Sequence, residues 1–118
     1  MSDRLNRLQA RLEEFRDERD WAQFHSLKNL IAALSVEAGE LLELTLWQND
    51  DILEDSLQDK AVAERLEHEC ADVLAYLLLI ASRADFDLVA ATERKLEVNR
   101  AKYPVEKARG SAVKYDKL

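Results

Sequence analysis

Apolar side chains recur at three- and four-residue steps along most of this chain. Leu5, Leu8, Leu12 and Phe15 make the first stripe, so residues 3–20 are predicted as an amphipathic helix with Ser2 or Asp3 as its N-cap. The pattern breaks at Asp20-Trp21-Ala22-Gln23-Phe24-His25, which reads as a loop. Ser26 then caps a second helix expected to run to about Trp47. This helix lacks a polar face: Leu42 and Leu46 lie opposite Glu37, beside the small residues Ala32, Ser35 and Gly39. Asn49-Asp50-Asp51 reads as a turn and residues 52–57 as a short helix. Asp59 starts a third long helix to about Arg83, again apolar nearly all round, with Leu74, Leu78 and Ala81 behind Glu69. Asp87 caps a fourth helix over 88–102, ended by Tyr103-Pro104. Residues 105–118 have no periodicity and read as a mobile tail. The expectation is an all-α, four-helix bundle-like domain over 1–104 followed by a basic C-terminal tail over 105–118. A helix apolar on both sides is buried on both sides, so part of this surface is expected to meet another subunit.

Two acidic pairs interrupt these stripes. Glu37 and Glu40 are three residues apart, and so are Glu69 and Asp72, so on a helix each pair shares one face. Stepping about 100° per residue, Glu37 falls among Leu30, Ala33, Leu34, Leu41 and Leu44. Glu69 falls among Val62, Leu66, Val73, Tyr76 and Ile80. Burying carboxylates is costly unless something compensates. Short loops favour an antiparallel pairing of the second and third helices, which brings the four acids toward one point. Four carboxylates without His or Cys describe a hard-cation site, Mg²⁺ or Mn²⁺, that keeps some water. A di-iron bundle would want Glu three residues before a His, but Ala22 precedes His25 and Arg65 precedes His68 at that spacing.

The 118 residues suit one domain. With 47% hydrophobic residues, 2 Gly and 1 Pro, the composition is ordered and helix-rich. A net charge of −7 argues against binding a nucleic-acid polymer, which needs a basic face. Residues 101–118 carry five Lys/Arg against Glu106 and Asp116, a local balance of +3, which leaves −10 for the rest. Cys70 is the only cysteine, so no internal disulfide forms and a reducing compartment is expected. The start is charged from Asp3 onward, and the longest apolar run, Val73 to Ala81, is far below the roughly 20 residues of a membrane span. A soluble cytoplasmic protein, not a membrane one, is the expectation.

At these same residues the chain resembles the MazG-like nucleotide pyrophosphohydrolases, of the all-α nucleoside triphosphate type, and within them the branch of the dCTP pyrophosphatases. The likeness runs through Arg19-Asp20-Trp21 with Phe24-His25, Lys28-Asn29-Leu30, Glu37-Ala38-Gly39-Glu40-Leu41 with Trp47, and Glu69-Cys70-Ala71-Asp72 to Leu77. It continues through Lys95 to Pro104 and into Val105 to Ala112. Val36 stands where many relatives carry a second acid, which leaves the number of metal ions open. The resemblance implies a MazG fold, a homodimer or homotetramer, and hydrolysis of a (deoxy)nucleoside triphosphate to the monophosphate and pyrophosphate. It leaves the base and sugar open, with dCTP or a modified dCTP as one candidate substrate, and it implies Mg²⁺ (or Mn²⁺) held by Glu37, Glu40, Glu69 and Asp72. One of those Glu residues, or Glu43 one turn on, takes the proton of the attacking water. Lys95, Asn99 and Lys102, at i, i+4 and i+7 of the fourth helix, are implied to face phosphates and sugar. Trp21, Phe24, His25, Trp47 and Tyr76 are the candidate base pocket, where aromatic faces stack on a base.

Plainer readings compete. Trp47 and Tyr76 suit core aromatics, and Lys95 and Lys102 suit a solvated helix face. The alternative function is a non-enzymatic helical oligomerisation module whose acids pair with a partner's Arg and Lys.

Overall fold

The computed structural model describes residues 3–118. It contains helices α1 (Asp3–Glu18), α2 (Leu27–Glu43), α3 (Asp50–Ser56), α4 (Lys60–Ala84), α5 (Leu88–Lys102) and α6 (Val105–Ala108). Two 3₁₀ turns, Ala22–Phe24 and Tyr115–Lys117, complete the list, and the described residues contain no strand. None of these helices is long and apolar enough to cross a membrane.

Three of the expected caps form. The backbone N–H of Asn29 donates to Ser26 Oγ at 3.1 Å, that of Ala61 to Asp59 Oδ1 at 2.9 Å, and that of Ala90 to Asp87 Oδ1 at 3.0 Å. Each satisfies an N–H that a helix start leaves without a partner. Asp3 lies inside the first turn of α1 and is not its cap. Ser2 lies outside the described residues. Asn49 caps α3 through Ile52 N–H, so this helix starts two residues earlier than its hydrophobic pattern suggests.

Helix α2 ends at Glu43, short of the expected Trp47. The N–H groups of Leu44, Thr45 and Leu46 reach back three residues, and the Thr45 hydroxyl donates to Leu42 O at 2.8 Å. The last turns thereby tighten and stop. Trp47 follows with φ 63, a left-handed conformation that is uncommon for a bulky residue. At the far end of α4, Asp85 takes φ 56 and Phe86 N–H donates to Ala81 O, closing the helix as a left-handed cap does.

The main packing is α2 against α4, with α1 against α4 second. Gln9 Nε2 donates to Leu78 O at 2.9 Å and Ser82 Oγ to Glu13 Oε1 at 2.8 Å, fixing α1 alongside the second half of α4. The first turn of α5 lines a cavity together with Leu5, Leu74 and Leu78. The tail has local structure: Gly110 turns it with φ 74, and Tyr115 returns to sit edge-on to Tyr103, ring centroids 6.1 Å apart.

Among the described residues only Leu30, Leu78, Leu79 and Ala81 form a buried core. The chain exposes 9,213 Å², against about 6,600 Å² for a compact monomer of its mass. Its radius of gyration is 17.7 Å, against about 13.5 Å for a compact domain of this length. Leu42 is 62% exposed, and Leu46 and Leu74 are exposed too. The side of α2 expected to be buried is thus open in the single chain. A Cβ built on Gly39 would meet nothing within 4 Å.

Candidate active site

Packing α2 against α4 brings Glu37, Glu40 and Glu69 together. One carboxylate oxygen from each lies within 4.8 Å of the others, and all three residues are half-buried. Glu37 Oε2 and Glu69 Oε2 are buried without a hydrogen-bond partner. Burial pushes the Glu37 carboxyl above its ordinary range, and Glu40, Asp72 and Glu69 push it further. Burial does the same to Glu69, with Glu40 and Asp72 adding to it and Arg65 opposing. Arg65, whose charge acts on Glu69, forms its ion pair with Glu43 at 3.6 Å and with none of the three clustered acids. Orphaned buried oxygens in an all-carboxylate set fit a divalent cation taking oxygen ligands. Asp72 stands outside the tight cluster and is exposed, yet its charge is felt by both Glu37 and Glu69.

These pKa shifts have a sign that can be tested. Groups raised in the folded state keep protons that the unfolded chain has released. Metal-free stability should therefore fall as pH rises from the ordinary glutamate value of about 4.3 through the raised one. Melting curves in chelator should show this decline, and Glu37→Gln should flatten it.

Beside the acids, α1 and α4 enclose a pocket of about 490 Å³ with the 21–25 segment. That volume lies within the roughly 300–1,000 Å³ of small-molecule sites. Trp21, His25, Asp72 and Tyr76 line it, joined by Arg11 and Phe15. Trp21 packs edge-on against Phe15, ring centroids 5.7 Å apart. His25 Nδ1 is buried and unpartnered, and burial with Arg16 nearby lowers the pKa of the ring. A neutral His25 then offers a donor or an acceptor to a guest. Burial, Glu37 and Asp72 raise the Tyr76 phenol, so it stays protonated.

Other sequence candidates are not drawn in. Phe24 is exposed and absent from the pocket wall, although its carbonyl accepts from Asn29 Nδ2 at 3.0 Å. Trp47 is 98% exposed. It lies beyond the opposite end of α2, about 25 Å of helix from His25. Neither Lys95 nor Asn99 lines the pocket, and the Lys102 ammonium sits 4.6 Å over the Tyr115 ring. Arg11, Phe15, Leu8 and Leu12 are pocket residues that the sequence reading assigned only to an amphipathic stripe or passed over. Their signal was weak, because a helix face seals a core and lines a cavity with the same side chains.

Known proteins are similar to this chain in sequence and in fold. A sequence model of the MazG-like family matches residues 32–118. This chain belongs to the MazG-like family. Among curated proteins it is similar to dCTP pyrophosphatase 1 of Rattus norvegicus, 46% identical over 116 residues, and to that of Homo sapiens, 44% identical over 116 residues. Each match covers 97% of this chain and 65% of the relative, so the MazG-like chain spans less than two thirds of their length. Among solved structures it resembles a pyrophosphatase from Archaeoglobus fulgidus, with a TM-score of 0.81 and 37% identity over 88% of this chain and 95% of that one. The all-α reading from periodicity and the MazG-like resemblance both stand.

Proposed function

We propose that this MazG-like chain hydrolyses a deoxynucleoside triphosphate, with dCTP or a modified dCTP as the preferred substrate, to the monophosphate and pyrophosphate. The observation that carries this is the junction of the Glu37–Glu40–Glu69 cluster with a pocket of nucleoside size walled by Trp21, His25 and Tyr76. The relatives' activity and substrate support it.

Glu37, Glu40 and Glu69 would hold Mg²⁺, or Mn²⁺ in its place, with Asp72 as the fourth acid at the pocket mouth. Held there, such an ion would supply charge neutralisation for phosphate oxygens and a more acidic bound water. Trp21 and Tyr76 bracket the base, and His25 Nδ1 offers a hydrogen bond to its edge. The proton from the attacking water goes to a glutamate of the cluster or to Glu43, and Glu43 must first leave Arg65. Lys95, Asn99 and Lys102 serve the phosphates and sugar, in the same or a second subunit.

The working unit is a homodimer or homotetramer. The chain's surface exceeds that of a compact monomer by about 2,600 Å², while a standard interface needs only about 800 Å² per partner. Trp47 then reaches a base pocket in a second copy, since its own lies at the other end of α2. A left-handed, solvated tryptophan is strained without a function, and a base in a neighbouring pocket supplies one.

A panel of natural and modified nucleoside triphosphates with Mg²⁺, scored for pyrophosphate release, tests the activity. A cytosine deoxynucleotide should give the highest kcat/KM. Absence of stoichiometric Mg²⁺ binding by calorimetry would favour a non-enzymatic interaction module instead.

A further inference from the structure

Helix α1 carries a basic face of which only Arg11 reaches the pocket described above. Arg4, Arg7 and Arg11 are three and four residues apart, so they share one side of the helix. With Leu5, Leu8 and Leu74 they line a groove of about 620 Å³. Among the described residues none of the three arginines forms an ion pair, whereas Arg16, Arg19, Arg65 and Arg100 all do. Unpaired arginines around exposed leucine, in a chain of net charge −7, describe half of an interface.

Helix α3 has the opposite character. Its seven residues include Asp50, Asp51, Glu54 and Asp55 and no base. None of these four acids makes an ion pair among the described residues. Ile52 and Leu57 stand exposed beside them. The two faces cannot meet within one chain. Helix α3 precedes the start of α4, and the α1 groove opens at Leu74, about 20 Å further along that helix.

An antiparallel pairing of two copies along their α2–α4 faces would exchange ends and set α3 of each against α1 of the other. We propose that α1 and α3 form a reciprocal electrostatic latch between two copies of this chain, with Arg4, Arg7 and Arg11 of one copy seated on the α3 acids of the other. The latch rests on the two-copy site proposed above, and it carries Trp47, three residues before α3, toward the neighbouring pocket.

Charge reversal and restoration test it on the full chain. Arg4→Glu with Arg7→Glu makes one variant, and Asp51→Lys with Asp55→Lys makes the other. Arg11 is left alone because it also lines the base pocket. Each variant alone should associate roughly ten-fold or more weakly by sedimentation at low salt, with helicity kept by circular dichroism. An equimolar mixture of the two should recover the wild-type mass, because both latches are then complementary. The chain carrying all four changes should recover it too, which guards against a variant that fails to fold. A wild-type monomer, unchanged association of either variant, or no recovery on mixing would each overturn the latch. So would weaker nucleotide binding by the Arg4/Arg7 variant at unchanged mass, which would make the groove an anion site. Pyrophosphate release and Mg²⁺ binding by wild type, measured on the same samples, report separately on the enzymatic reading.

Discussion

Glu40→Gln should lower pyrophosphate release by roughly 10²–10³-fold, the loss typical of removing one preorganised group from a transition-state charge site. The substitution keeps volume and removes one charge from a cluster whose oxygens lie within 4.8 Å of one another. Mg²⁺ affinity by calorimetry should fall with activity, while the helical fold persists. The metal-free variant should melt no lower than metal-free wild type, because like charges are relieved and burial already disfavours ionised Glu37 and Glu69. Asp72→Asn should have a smaller effect on metal affinity, since Asp72 stands outside the cluster and exposed. Full activity in Glu40→Gln would place the metal elsewhere.

Trp47→Ala should raise KM without weakening the fold. The side chain is 98% exposed, so its removal costs no packing within the chain, and exposed substitutions of this kind change stability by only about 0.5 kcal/mol. A base stacked on an aromatic ring is worth about 1–3 kcal/mol, which corresponds to a KM increase of roughly five- to 150-fold. Trp21→Ala makes the contrast. Trp21 packs on Phe15 and lines the pocket, so its loss should lower melting temperature as well as affinity. Mixing Trp47→Ala chains with Glu40→Gln chains adds a stringent check. If Trp47 serves a neighbour's pocket, mixed assemblies contain sites with an intact cluster and an intact tryptophan from different chains, and activity should exceed that of either variant alone. Two variants that never complement would confine Trp47 to its own chain.

The two results depend on different parts of the molecule, and so did their legibility. Helix periodicity and cap chemistry are local, which is why Ser26, Asp59 and Asp87 could be read as helix starts from the sequence. The i, i+3 spacing of Glu37–Glu40 and Glu69–Asp72 is local as well. A carboxylate among leucines states its own electrostatic problem before any tertiary contact is known. The MazG-like likeness was legible for the same reason, since its motifs are short continuous runs of sequence.

What the tertiary structure decided is the long-range geometry. Packing of α2 on α4 selected Glu37, Glu40 and Glu69 for the tight cluster and left Asp72 at the pocket mouth. Helix spacing cannot make that selection, because it fixes angles within one helix and not the offset between two. The early stop of α2 set Trp47 in a left-handed turn at the far end from Trp21 and His25. Their common aromatic character had suggested a single pocket. The docking of α1 placed Arg11 and Phe15 in the pocket wall. An amphipathic stripe determines which side of a helix is apolar, but only packing determines whether that side closes a core, lines a cavity or awaits another chain.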